Sequence, residues 1–410
     1  MQRLTGFLGI AAILGIAYLM SNNRKAINKR IVLWGLGLQV TFALFILATP
    51  IGKPVFQFFD QGIKKLLSFS DQGAFFLFQA LSLGPGQVGP NGEESLGFFF
   101  AFQILPTIIF FSAFMAILYH IGLMQFIVKY IAKGMQKTLG TSGSETLSAS
   151  GNIFVGQTEA PLLIRPFIKT MTKSEFMAVM TGGFATMAGG VLAIYAKWLS
   201  DIPNIAGHLM AASLMSAPAA LVIAKIIYPE VELSPTRANH DIDIPKGEGN
   251  VMESVANGTI DGMKLAVNVG AMLIAIVALV AAANGLLGLV GLSIEQILGW
   301  VFAPLAFTMG VPLPDVLTVG QLMGEKIVLT ELVAYGHLQE LSDGMSDKAM
   351  IISSYALCGF ANFASIGIQI GGIGSLAPER RGDLSQVALK AMIGGALASW
   401  LTATIAGIMI

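Results

Sequence analysis

The sequence predicts an all-α polytopic membrane protein. The expected plan is eight transmembrane helices plus two opposed re-entrant helical hairpins in an inverted repeat, with interfacial amphipathic helices. Three observations carry this expectation: a composition too poor in charge for a soluble surface, eight long stretches free of charged residues, and a short motif that occurs once in each half.

The 410 residues are 54% hydrophobic and 12% charged, against about 25% charged in a typical soluble domain. Twenty-four basic and 24 acidic residues cancel, so no net field draws a polyanion, and nucleic acid is excluded as a partner. The single cysteine, Cys358, excludes a disulfide framework and a cysteine-rich metal site. Four scattered histidines give no zinc spacing.

A helix needs about 20 apolar residues to cross the hydrocarbon. Stretches without Asp, Glu, Lys or Arg run over 4–23, 31–52, 95–128, 176–196, 202–224, 265–294, 349–378 and 391–410. The first has no A-x-A cleavage site and runs straight into Arg24, Lys25, Lys29 and Arg30, so it reads as an uncleaved helix. Those basic residues place the 24–30 loop in the cytoplasm and both termini outside. Lys129, Lys133, Lys137, Lys169, Lys173, Arg380 and Arg381 then all fall inside, provided that segments 138–168 and 296–340 enter and leave on one face. Both segments are apolar, rich in Gly, Pro, Ser and Thr, and interrupted by acidic groups. The stretch 124–139 reads as an amphipathic helix in the inner interface. The stretch 51–70, with Lys53, Lys64 and Lys65, reads as another on the outer side. Residues 84–94 (GPGQVGPNGEE) spell G-x-G-x-x-G but lack the strand and helix that a dinucleotide fingerprint needs. Residues 229–248 read as a solvated connector.

The repeat rests on GFATMAG at Gly183–Gly189 and GFANFAS at Gly359–Ser365, offset by 176 residues. Upstream lie Thr158-Glu159 and Thr330-Glu331, one pair in each broken segment. This order divides the chain into a scaffold (1–137), a first repeat (138–228), a connector with a linking helix (229–295) and a second repeat (296–410). Inverted repeats with broken helices are a common plan of secondary transporters, with the site at the repeat interface.

Irregular backbone at membrane depth must line a cavity or be buried in protein. The polar groups expected there are Asn152, Gln157, Thr158, Glu159, Thr186, Glu331, Asn362 and Ser365. An intramembrane carboxylate marks function by default. The alternative is that Glu159 and Glu331 are structural, paired with Arg165 and Lys326. Amides and carboxylates at fixed angles suit sugars, nucleosides or nucleobases. A channel or an intramembrane enzyme fits less well, because no pore ring and no Ser–His pairing is evident.

Three motifs extend this reading. Gly151–Pro161 (GNIFVGQTEAP) and Gly359–Gly367 (GFANFASIG) resemble two signatures of the concentrative nucleoside transporters. Gly324–Tyr335 (GEKIVLTELVAY) is similar to a third, G-x-K-x-x-x-N-E-F-V-A. In that motif Thr330 stands where Asn is usual and Leu332 where Phe is usual. The resemblance spans essentially the whole chain. It implies a sodium-coupled nucleoside symporter of the inner or plasma membrane, working by alternating access, a homotrimer and not an enzyme. Proton coupling, or transport of nucleobases or another hydroxylated solute, is the alternative. It also implies roles: Gln157, Thr158 and Glu159 meet the nucleobase, with Val191 nearby. Glu331, Asn362 and Ser365 hold the ribose, with Phe360 packed beside it. Asn152, Val155, Thr186 and Met187 hold Na+, partly through backbone carbonyls.

Overall fold

The computed structural model describes residues 2–49, 52–200, 202–236 and 249–410. Residues 237–248 of the expected connector lie outside that set. Among the described residues, seventeen α-helices run in the order α1 (Gln2–Leu19), α2 (Lys29–Ala43), α3 (Gly52–Phe78), α4 (Phe100–Gln103), α5 (Leu105–His120), α6 (Leu123–Leu139), α7 (Gly143–Gly151), α8 (Lys173–Ala185), α9 (Gly189–Trp198), α10 (Ile205–Ile227), α11 (Val251–Leu287), α12 (Ile294–Thr308), α13 (Val316–Val328), α14 (Glu331–Leu341), α15 (Asp347–Ala356), α16 (Phe363–Leu376) and α17 (Arg381–Met409). A 3-10 arm, Ala160–Thr170, follows α7. Among the described residues the only β pairing is one isolated bridge, Val88 to Glu94, inside the glycine-rich loop.

Among the described residues, six stretches are long and apolar enough to cross a membrane: Lys29–Leu47, Phe100–His120, Lys173–Trp198, Ile205–Ile227, Val251–Val290 and Pro378–Met409. The chain is therefore an all-α, multi-pass membrane protein. Of the other two expected spans, the first forms α1, 18 residues long, and the stretch 349–378 is broken between α15 and α16.

Both GFA motifs, expected inside helices, lie at helix breaks. Gly183–Ala185 end α8, and Thr186 is extended. Gly359 adopts φ +90° after α15 has ended. There a glycine is required: a Cβ would lie 2.5 Å from the Phe184 carbonyl oxygen, in a left-handed conformation that other residues pay for. The two breaks thus pack directly on each other. Segment 296–340 is likewise not two arms but three helices, α12 to α14.

Burial separates a core from an exposed rim. α8 and α10 are buried almost all round, which is what uniformly apolar helices require. α11 is largely exposed, with Ile274, Leu279 and Leu286 open. Helices associate in a bilayer through close contact of small residues. Gly258 and Gly262 lay α11 against α5, where added Cβ atoms would lie 2.8 Å from the Ser112 carbonyl oxygen and 2.8 Å from Ile109 Cα. Gly320 and Gly324 do the same for α13 on α12.

α6 buries Met124, Val128, Ala132, Met135 and Leu139 and exposes Lys133 and Lys137, the one-sided pattern of an amphipathic helix. α3 continues eight residues beyond the expected 51–70, because Asp60, Ile63, Leu67, Ser70 and Ala74 extend its buried stripe. The element order then recurs: α6, α7, the 160–170 arm, α8, α9 and α10, followed after α11 by α12, α13, α14, α15, α16 and α17.

The start of the connector is less solvated than expected. Ser234 and Thr236 are buried. Ser234 donates to Glu175 at 2.6 Å, and Ser144 donates to the same oxygen at 2.9 Å. Lys225 pairs with Glu145 at 2.6 Å. This network ties the bases of α7, α8 and α10 to residues 234–236. Buried charges persist where ion pairs or several hydrogen bonds compensate them.

Candidate functional site

Two arms bring polar side chains between the helix breaks. The first is the turn 152–159 after α7. The second is the turn Leu329–Thr330 between α13 and α14, where the Thr330 side chain caps α14 by accepting from the Val333 amide at 3.4 Å. Opposite them, Asn362 is the N-cap of α16 and accepts from the Ser365 amide at 2.9 Å, satisfying one orphan donor of the first turn.

Glu331, 6% exposed, accepts two hydrogen bonds. Asn362 Nδ2 donates to Oε2 at 2.7 Å, and the Tyr195 hydroxyl donates to Oε1 at 3.2 Å. Gln157, also buried, donates to Ser365 Oγ at 3.2 Å and accepts from Gln369 Nε2 at 3.0 Å. Gln369 further donates to the Met180 carbonyl at 3.2 Å. One continuous polar chain therefore runs Tyr195, Glu331, Asn362, Ser365, Gln157, Gln369. It joins α9, the second arm, α16 and the first arm. A buried polar run of this kind fixes geometry only because its members satisfy one another.

The other sequence-derived positions distribute around that chain. Thr158 lies against α16, where a Cβ on Gly372 would be 2.9 Å from Thr158 Cγ2. Glu159 stands apart: its side chain is exposed and accepts only from the Gly156 amide, at 3.2 Å. Val191 is buried on α9 one turn before Tyr195. Phe360 is half-buried in the second break, and its carbonyl accepts the Asn362 amide at 2.8 Å. Asn152, Val155, Thr186 and Met187 are all buried and form a separate group at the C-terminal ends of α7 and α8.

Within that group both side-chain polar atoms of Asn152 lack a hydrogen-bond partner. A Cβ on Gly182 would lie 3.3 Å from Asn152 Nδ2, so the amide sits on the last turn of α8. The Thr186 hydroxyl donates to the Gly182 carbonyl at 2.8 Å and keeps lone pairs to offer. A buried, unpaired amide costs free energy. This donor set of amide and hydroxyl oxygens at a helix C-terminus suits a hard monovalent cation. Among the described residues no cluster of His, Cys, Asp and Glu could hold a metal ion instead.

The two carboxylates do not form the pairs with Arg165 and Lys326 that the structural alternative names. Arg165 is exposed, and Glu159 takes its contact from backbone. Lys326 spends its three donors elsewhere: on the carbonyls of Ala356 at 2.8 Å and Cys358 at 2.7 Å, and on Ser399 Oγ at 2.6 Å. His337 faces Glu325 at 2.9 Å, not a serine. Sequence reasoning missed Tyr195 and Gln369. Tyr195 follows Val191 by four residues, and Gln369 follows Ser365 by four; helical spacing puts each on the face of a residue already singled out. A groove of about 500 Å³ lined by Ile16, Phe302, Ile327, Ile393 and Trp400 is apolar and contains none of these residues.

The chain resembles known transporters over its whole length. Residues 208–407 match the family described as Na+ dependent nucleoside transporter C-terminus. Residues 8–81 match its N-terminus, and 101–201 match a gate described as nucleoside recognition. An uncharacterized transporter of Bacillus subtilis, YutK, is 43% identical over the whole of both chains. Sodium/nucleoside cotransporter 1 of Rattus norvegicus is 42% identical over all of this chain, which spans 64% of the rat protein. The solved structure of CNTnw in an inward-facing substrate-bound state superposes with a TM-score of 0.92 at 40% identity, covering 100% of this chain and 98% of that one. A CNTnw variant in an outward-facing state gives 0.91 at 40% identity, with the same coverage.

Proposed function

The chain belongs to the Na+ dependent nucleoside transporter family, and on that premise we propose that it is a sodium-coupled nucleoside symporter working by alternating access. It is a membrane transporter and not an enzyme. The observation that carries the substrate assignment is the pairing of Glu331 with Asn362 across the second arm and α16. A carboxylate accepts from two hydroxyls, and an amide both donates and accepts. A ribose presents vicinal hydroxyls that match the pair. Gln157 and Thr158 offer the complementary edges for a base, with Glu159 open beside them. Val191 and Phe360 supply apolar walls. Exchanging the internal bonds for bonds to the ligand keeps each buried group satisfied, which is the condition for tight binding here.

The unpaired Asn152 amide supports sodium over protons. Asn152 and Thr186 would hold the ion, with the backbone of Val155 and Met187. When bound it supplies one unit of positive charge between α7 and α8. One charge across ~100 mV yields about 2.3 kcal/mol. A roughly tenfold gradient adds about 1.4 kcal/mol. Together they support an accumulation of several hundredfold.

We place both termini outside the cytoplasm, with the arms after α7 and α13 entering from opposite faces as an inverted repeat. The proposed units are 1–137, 138–228, 229–295 and 296–410, and the assembly is a homotrimer in the cytoplasmic membrane. Radiolabelled uridine uptake into proteoliposomes tests the function, under an inward sodium gradient, an inward proton gradient, and neither. Accumulation under sodium alone is expected. Equal accumulation in choline buffer under a proton gradient overturns sodium coupling, and uptake that never exceeds equilibrium overturns symport.

A further inference from the structure

The two repeats treat the same place in opposite ways. In the first, Asn152 caps the C-terminus of α7 and lies against the last turn of α8, just before that helix breaks. In the second, Lys326 occupies the last turn of α13 and lies against the last turn of α15, just before that helix breaks. The third helix completes the parallel. Ser213 of α10 donates to the Ile153 carbonyl at 3.1 Å, and Ser399 of α17 accepts from Lys326 at 2.6 Å. One place presents a buried amide with no partner. The other holds an ammonium.

Lys326 is fully buried. Its three donors, all that an ammonium has, go to two carbonyls and one hydroxyl within 2.8 Å. Among the described residues no carboxylate lies within salt-bridge distance of it. The carbonyls of Ala356 and Cys358 stand where α15 ends, the negative pole of a helix. Freed carbonyls at a broken helix end are the ligands that transporters offer to coupling cations. The Lys326 ammonium is thus a cation, coordinated by cation ligands, on a covalent tether.

We propose that Lys326 is a built-in cation occupying the second repeat's counterpart of the ion site, so that the protein takes one free coupling ion per cycle. This rests on the sodium-coupled reading for the first repeat. Holding the end of α15 fixes the break from Gly359 to Asn362, and so presents Asn362 to Glu331. Lys326 is accordingly a positioning residue, which touches neither substrate nor ion.

The test uses purified full-length protein. Lys326→Ala removes the tethered charge and leaves its three acceptors around a space that a small alkylammonium can enter. Melting temperature is measured in choline, sodium and ethylammonium chloride, with Asn152→Ala in the background to silence the first repeat. The double variant is expected to melt lower than Asn152→Ala in choline and to recover in ethylammonium or sodium, while Asn152→Ala alone responds to neither. In uptake, the Hill coefficient for sodium should be near one in the parent and rise in Lys326→Ala. Should Lys326→Ala fail to fold, Lys326→Met keeps the length and Lys326→Arg keeps the charge. Arg behaving as the parent while Met loses uridine affinity by about tenfold or more supports the proposal. Met matching the parent in melting and in sodium dependence overturns it, as does the absence of any cation response in the double variant. If the parent takes up no uridine under either gradient, the transport reading fails by itself, and the melting comparison still decides the tethered cation.

Discussion

Asn362 donates to Glu331 at 2.7 Å, joining the N-terminus of α16 to the tip between α13 and α14 across 31 residues of chain. The same Asn362 caps its own helix through Oδ1. Its two functions constrain each other: the helix cap fixes the amide plane, and the amide plane fixes where the carboxylate meets a ligand.

Glu331→Gln keeps the shape and removes the charge. It should weaken uridine binding by at least about tenfold, since a hydrogen bond to a charged group is worth about 1.5–3 kcal/mol. The elution volume of the protein should not change. Tyr195→Phe removes the second donor and should cost less. Free uracil, which brings no ribose hydroxyls to exchange for the internal bonds of Glu331 and Asn362, should compete far more weakly than uridine. Equal competition by uracil would make a nucleobase the better substrate.

Gln157→Ala should alter discrimination among adenosine, cytidine, inosine and uridine while leaving the sugar requirement intact. Gln369→Ala acts one step removed, by freeing the Gln157 carbonyl oxygen. It should shift the same preferences by a smaller factor. Competition against labelled uridine measures both; a Gln369 variant with unchanged preferences would show that Gln157 is held by Ser365 alone.

Asn152→Ala deletes the unpaired buried amide. The sodium concentration for half-maximal uptake should rise by about tenfold or more, from the loss of one ion ligand, with a lesser change in uridine affinity at saturating sodium. A sodium curve that does not move would place the ion elsewhere.

Gly359→Ala puts a Cβ 2.5 Å from the Phe184 carbonyl at φ +90°. The left-handed conformation alone costs a non-glycine residue about 1–2 kcal/mol, and the clash adds to it. A clear fall in melting temperature is expected, larger than for Gly367→Ala, where a Cβ meets nothing within 4 Å.

Orientation is testable by cysteine labelling in the native chain, because Cys358 is fully buried. Cysteines at the exposed positions Lys25 and Arg381 should react only from the cytoplasmic side. Glu94, exposed in the 84–97 loop, should react from outside. It is a better probe than Gly92, whose φ of +88° disfavours any side chain. Labelling of Arg381 from outside would remove the inverted repeat.

Much of the fold is legible in the sequence, for physical reasons. Hydrocarbon tolerates few charges, so the gaps between charged residues marked the long helices. Carboxylates are costly at membrane depth, so Glu159 and Glu331 stood out. The paired GFA motifs located the two breaks, although not that they are breaks. Apolar composition cannot distinguish a continuous helix from one whose hydrogen bonds are handed to a neighbour, and the packing of the Gly359 turn against the Phe184 backbone joins segments far apart in the chain.

The sequence by itself determined the membrane class, where the long apolar stretches lie and the polar residue types, because each follows from the cost of moving single residues or short stretches out of water. Only the tertiary structure decided the partners. Lys326, five residues from Glu331, reaches instead to Ala356, Cys358 and Ser399; Gln369 and Tyr195 lie one turn beyond Ser365 and Val191, but the bonds that join them to the site cross to other elements. Hydrogen bonds are short-ranged and directional, so which buried donor meets which acceptor depends on how helices far apart in the chain are packed, and spacing along the chain does not encode that.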